Sequence, residues 1–320
     1  VLAQVGLTAA VETVKPEWRD PEYGHRLHRL RALRAAHPGR PLVVAVGSSR
    51  TQMGLSPADM GFADEPGSPL VFNFGQAGAG PLHQLLTVRR LLDAGVRPDY
   101  LLAEFFPGAL VVDGPAEEVL RAWGPRLGLG DVGRLEPYAA DPGVLYRRWA
   151  AGRVAPWHAL RQPLLSHWRP RWQPWPRRVD FQWELMDRFG FTPYPHPAVP
   201  PGKRADGLRL AADQYRPFLR DYRVGATSDR ALRDLLALAR AEGIPAALFL
   251  TPEGPTFRGW YPPAARAVIA DYLPTLGAPA FDAAGGFAED DFADGHHLLP
   301  AGAARFSRRL AADRLRGWVK

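Results

Sequence analysis

The chain has 320 residues, 46% of them hydrophobic, with 40 lysines and arginines against 33 acidic residues and a formal net charge of +7. That length and apolar share support one large domain with a proper core and place most of the chain outside the disordered class. The absence of cysteine excludes disulfides, cysteine metal sites and thiol chemistry, and leaves oxidising and reducing compartments both open.

Nearly all the positive charge is arginine, since lysine stands only at Lys15, Lys203 and Lys320. A GC-rich coding bias is the simpler account. The functional one is an arginine surface for anionic partners such as phosphate, an acidic polysaccharide or a membrane face. No run reaches the roughly 18 apolar residues of a membrane span. The mildly apolar segment 2–14 reads as a stub left after a removed signal or anchor helix.

In chain order, leucine spacing at Leu27, Leu30 and Leu33 predicts a surface helix over 17–37, ended by Pro38-Gly39. The short apolar run 41–46 is the signature of a buried parallel strand. It breaks into the turn Gly47-Ser48-Ser49. A second strand over 70–74 enters the glycine-rich turn 75–80, and an amphipathic helix over 81–94 begins on proline. A third strand spans 99–106. From 111 to 225 the alternation stops. This stretch holds Trp123, Trp149, Trp157, Trp168, Trp172, Trp175 and Trp183, and the run Trp168-Arg169-Pro170-Arg171-Trp172-Gln173-Pro174-Trp175-Pro176-Arg177-Arg178. A structureless loop of that length is unusual in a compact domain, so it reads as a partly helical, cap-like insertion folded over the sheet edge. Ser228 reads as the N-cap of a helix ending near Glu242-Gly243. Strands over 244–250 and 278–282, a helix over 262–276 and a closing helix over 301–319 complete the chain.

Five short strands separated by helices predict an α/β fold: a doubly wound, mostly parallel five-stranded sheet of flavodoxin-like order, in one domain spanning 1–320. Such sheets place their site outside the carboxyl ends of the strands. Ser49, Gly78, the end of the third strand, Glu253 and the loop with Asp294 and His297 converge there. A serine, an imidazole and a carboxylate at one edge are the minimum equipment for acyl transfer through a serine ester.

These motifs resemble the SGNH (GDSL-like) hydrolase superfamily, nearest its polysaccharide O-acetylation (alginate acetylation-like) branch. The resemblance covers 41–106 and 228–319. Gly47-Ser48-Ser49 matches the Gly-Asp-Ser block, with Ser49 at the nucleophile position and Ser48 replacing the usual Asp. Asn73-Phe74-Gly75-Gln76-Ala77-Gly78 matches Asn-x-Gly-x-x-Gly, with Gly78 at the position whose N–H serves the oxyanion hole. Asp294 and His297 match Asp-x-x-His. The resemblance implies a Ser49, His297, Asp294 triad, with Gly78 and Asn73 on the oxyanion side; Arg50, beside the nucleophile, and Glu253, at a strand end, join them on the oxyanion or substrate side by their position. It implies no metal and no cofactor. The expected partner is an acetylated or acetyl-accepting carbohydrate, with a membrane-bound acetyl-donor protein and an extracytoplasmic location.

The third block departs. Where the hydrolases carry Gly-x-Asn-Asp, this chain has Glu104-Phe105-Phe106-Pro107-Gly108. Losing one oxyanion donor costs roughly 2.7–4 kcal/mol of transition-state stabilisation, and Arg50 is the candidate replacement charge. The alternative function is an inactive SGNH-like module that binds polysaccharide or an assembly partner. Asp290, Asp291, Asp294, His296 and His297 also admit a metal reading, which ranks below the triad because no third ligand segment is evident. His296 reads as an exposed neighbour. The arginine run without a nucleic-acid motif argues against nucleic-acid binding.

Overall fold

Five parallel strands form one sheet of order β2-β1-β3-β4-β5: β1 is Leu42–Gly47, β2 Leu70–Gly75, β3 Tyr100–Glu104, β4 Ala246–Leu250 and β5 Ala280–Asp282. The order is compatible with a flavodoxin-like sheet. In the computed structural model, residues 2–62, 65, 67–111, 118, 124–173 and 183–319 are described. Trp123, Trp175 and residues 174–178 of the arginine run lie outside them.

Strands β1 to β4 are buried along most of their length because both faces are covered, whereas edge strand β5 buries only Phe281. Leu42, Val44 and Val46 of β1 enter one core, with Leu30, Leu85, Leu235 and Leu248. Val43 and Ala45 enter the other, with Phe249, Phe292, Phe306 and Leu310. Period-two alternation with apolar residues on both faces is why these runs are almost wholly apolar, with Asn73 in β2 and Glu104 in β3 as buried exceptions. The first core takes helices α2 (Pro21–Ala36), α4 (Pro81–Asp93) and α9 (Ala226–Ala241); the second takes α11 (Pro300–Leu310). Helix α1 is Leu2–Ala9, α3 is Ser49–Gly54 and α10 is Pro263–Tyr272.

Two expectations change. The helix predicted over 17–37 is broken at Asp20: a single turn Pro16–Arg19 precedes the main helix, which starts at Pro21 and is capped by Asp20, whose side chain accepts from the Tyr23 N–H. It is not only a surface helix, because Glu22 and Arg26 are fully buried. They belong to an ionic seam in which Arg126 reaches Glu22 at 3.0 Å, and Arg90 reaches Asp20 at 2.8 Å and Asp131 at 2.7 Å. Ser228 is not an N-cap. Helix α9 starts at Ala226 on an extended Gly225 whose amide donates to Leu110 O at 2.8 Å, and Ser228 is buried in the first turn.

The stretch between β3 and α9 contains α5 (Leu129–Leu135), α6 (Pro142–Val154), α7 (Pro156–Trp168) and α8 (Pro201–Arg220). Helix α7 packs on the N-terminal segment, with Leu160 and Leu164 around Val11. Helix α8 lies against the loop that carries Asp294. Arg204 donates to Phe292 O at 3.0 Å, and a Cβ added at Gly207 would lie 2.8 Å from Asp294 Cβ.

Candidate active site

Strand β1 ends at Gly47, and α3 begins two residues later with Ser49. The turn is tight because Gly47 faces two side chains: an added Cβ would lie 2.0 Å from Thr51 Oγ1 and 2.5 Å from Glu104 Oε2. Glu104, at the end of β3, anchors the turn from below. Its Oε2 accepts from the Ser48 N–H and from Thr51 Oγ1 at 3.0 Å, and its Oε1 accepts from Thr251 Oγ1 at 3.2 Å. Ser48 caps the short helix, accepting the Arg50 N–H on Oγ at 3.2 Å. Ser49 is therefore presented at the carboxyl edge of the sheet by a fixed backbone.

The second element is the loop before α11. Gly295 adopts φ +87°, a left-handed conformation that favours glycine, and lets the loop fold back on Asp294. Asp294 Oδ1 accepts the N–H groups of His296 and His297 at 3.2 and 2.9 Å. Its Oδ2 lies 2.7 Å from His297 Nδ1, and His297 Nε2 lies 2.8 Å from Ser49 Oγ. The relay Asp294–His297–Ser49 thus closes across 248 positions of sequence. The side chains of Asp294 and His297 remain 21% and 18% exposed, so the group is open to a ligand. Burial pushes the Asp294 carboxyl up. The His297 and His296 imidazoles and the hydrogen bonds from His297 outweigh it and hold the carboxyl below the usual range. A carboxylate on Nδ1 leaves Nε2 as the acceptor facing the serine hydroxyl, the arrangement for general-base catalysis.

The glycine turn sits beside Gly47. Gly75 pairs with Gly47 in register, and Gln76 N–H donates to Gly47 O at 2.8 Å. Gly78 has φ +75°, is exposed, and an added Cβ there meets nothing within 4 Å. The far end of the turn is held by Glu118, whose carboxylate accepts the Leu82 and His83 amides at 3.2 and 2.6 Å. Burial pushes that carboxyl up to about 7 against those hydrogen bonds.

Three expected site residues have other roles. Asn73 is fully buried. Its Nδ2 donates to the carbonyls of Thr51, Gln52 and Leu55 at 2.7, 3.3 and 2.6 Å, and its Oδ1 accepts the Gly75 N–H at 2.8 Å. It ties α3 to β2 and leaves nothing for an oxyanion. Arg50 is buried, 3% exposed, and does not offer a charge to the serine. Its Nη1 reaches Glu253 at 3.1 Å, and Nη2 donates to the carbonyls of Thr251 and Pro252 at 3.1 and 2.9 Å. Glu253 is thereby the counterion of Arg50, shared with the Tyr261 hydroxyl at 3.0 Å, rather than a substrate contact.

His296 is buried rather than exposed. Its ring packs 4.0 Å from His297 and 5.3 Å from both Tyr215 and Phe257, so α8 and the segment after β4 enclose it. Burial, then the neighbouring His297, push its pKa down to about 3, and it is neutral. One ligand atom each of Asp294, His296 and His297 lies within 4.8 Å of the others, but Asp294 Oδ2 and both His297 nitrogens are already engaged in the relay.

Sequence reasoning did not assign the anchoring role of Glu104 or the aromatic wall of Phe106, Tyr215 and Phe257. A lone carboxylate inside the apolar run Tyr-Leu-Leu-Ala-Glu-Phe-Phe was a usable signal for the first, because a buried charge needs donors. The wall joins three distant segments and left no local signal. The chain matches no protein-family model and no curated protein sequence.

Proposed function

We propose that this protein is a serine-dependent acyltransferase or esterase of SGNH hydrolase type, acting on acetyl groups carried by carbohydrate. The observation that carries the reading is the continuous relay from Asp294 through His297 to Ser49, at 2.7 and 2.8 Å. In this reading Ser49 Oγ attacks the ester carbonyl while its proton passes to His297 Nε2, and Asp294 stabilises the imidazolium. The oxyanion takes the amide N–H groups of Ser49 and Gly78, neither of which has a protein partner among the described residues. His297 returns the proton to the leaving oxygen, giving acetyl-Ser49. Water or a sugar hydroxyl, deprotonated by the same imidazole, then releases the acetyl group.

The third block supplies no side-chain donor, because Phe105 and Phe106 are buried apolar groups. Two amides without a third donor suit an activated or protein-borne acetyl donor better than a stable ester. The extracytoplasmic location and the membrane-bound donor belong to this same reading.

The test is p-nitrophenol release from p-nitrophenyl acetate by the wild type, Ser49→Ala and Asp294→Asn. Ser49→Ala is expected to lower kcat by roughly 10⁶ and Asp294→Asn by roughly 10⁴, and added sugar acceptors separate transfer from hydrolysis. Equal turnover by folded Ser49→Ala protein overturns the reading.

A further inference from the structure

Away from the serine, one face concentrates exposed apolar side chains and uncompensated arginine. Residues 142–173 contain six arginines, four tryptophans and no aspartate or glutamate; Arg147, Arg153 and Arg171 pair with Asp141, Glu12 and Glu184 from outside that stretch. Helix α7 carries Trp157, Arg161, Leu165 and Trp168 at spacings of four, four and three, which puts them on one side of the helix. Both tryptophans are 46% exposed. The other side of α7 is spent on the fold, with Leu160 and Leu164 buried around Val11.

Helix α1 extends this face. Gln4 Oε1 accepts the Trp157 N–H at 3.2 Å, and Thr8 Oγ1 donates to Arg153 O at 3.1 Å, so α1 lies across the junction of α6 and α7. Leu7 packs inward, which leaves Leu2 88% and Val5 60% exposed, with Val154 81% exposed at the end of α6. Helix α1 carries no charged residue. Beyond α7, Trp172 is 76% exposed, and the Arg169 guanidinium lies 5.7 Å from its ring. Arg161 and Arg169 donate only to the carbonyls of His158 and Trp168 and have no acidic partner among the described residues.

We propose that this face docks on an anionic phospholipid bilayer. Tryptophan settles at the headgroup level, aliphatic side chains enter the acyl boundary, and arginine is drawn to anionic headgroups. All three kinds of group are on one face, with uncompensated positive charge to match a negative surface. A polysaccharide would stack on the tryptophans but gain nothing from Leu2, Val5 and Val154. No helix among the described residues is long and apolar enough to cross a membrane.

The experiment is co-sedimentation of the full chain with phosphatidylcholine vesicles, with and without phosphatidylglycerol, at low and high salt. Binding is expected only with phosphatidylglycerol, and it weakens as salt rises. Arg161→Ser with Arg169→Ser is expected to weaken it about twenty-fivefold, roughly fivefold per arginine. Trp157→Ser with Trp172→Ser is expected to abolish sedimentation, while the thermal midpoint and circular dichroism stay those of the wild type. Wild-type protein left in the supernatant with anionic vesicles overturns the proposal. So does binding that both variants retain, or binding to a soluble polyuronate that the variants lose while vesicles capture nothing.

Discussion

The guanidinium carbon of Arg50 lies 4.0 Å from the centre of the Phe106 ring. These residues follow the serine and the third strand, the two places where an additional oxyanion donor is sought. Here they are spent on each other. The ring faces the cation, Glu253 neutralises it, and two carbonyls fix its orientation.

Arg50 is therefore expected to matter for stability first. Arg50→Met leaves Glu253 without its counterion and should cost roughly 3–5 kcal/mol by denaturant unfolding. Arg50→Met combined with Glu253→Gln should recover a large part of that loss. Unchanged stability with a collapse of kcat would instead assign Arg50 to the oxyanion.

Asn73→Ala separates structure from catalysis in the same way. It removes the donor from the carbonyls of Thr51 and Leu55 and the acceptor from Gly75. Unsatisfied buried groups predict a loss of about 2–4 kcal/mol, measured by denaturant unfolding. The kcat per folded molecule should stay near that of the wild type, because Asn73 touches no reacting atom.

The fold was legible where the sequence is locally consistent. Apolar runs at Leu42–Gly47, Leu70–Gly75, Tyr100–Glu104 and Ala246–Leu250 are strands because both faces of a parallel sheet are buried; the last two lie within the runs that predicted them, and the first two extend one residue further, onto Gly47 and Gly75. Ser49, Asp294 and His297 were legible because sheet topology brings strand ends together. What failed was the direction of individual side chains. Asn73, Arg50 and Glu253 belong to motifs near the serine, but position along a motif does not say whether a polar group faces a ligand or satisfies buried backbone. His296 was misread because its partners Tyr215 and Phe257 come from segments about 80 and 40 positions away, beyond local periodicity.

Buried neutral His296 predicts acid sensitivity. Its folded pKa is about 3 against an ordinary value of 6.5. Between those values the unfolded chain binds more protons, so stability falls as pH drops through that window and is insensitive to this group above it. The slope is up to roughly 1.4 kcal/mol per pH unit. His83 and His25, also pushed down to about 3 by burial, add with the same sign. Asp294 stabilises the fold at all pH values above about 4, and because its folded carboxyl is held below the ordinary range, that contribution is lost only as pH falls below about 4. His296→Phe should flatten the dependence of unfolding free energy on pH between 6.5 and 3 without abolishing it. An unchanged slope would mean that His296 is protonated in the folded protein.

The most direct test of the serine chemistry is the mass of the protein itself. After brief exposure to p-nitrophenyl acetate and acid quenching, peptide mapping should find one acetyl group on the peptide containing Ser49, and none in Ser49→Ala. A folded wild type with neither adduct nor turnover, or an adduct that survives in Ser49→Ala, would contradict an acetyl-serine intermediate at this site.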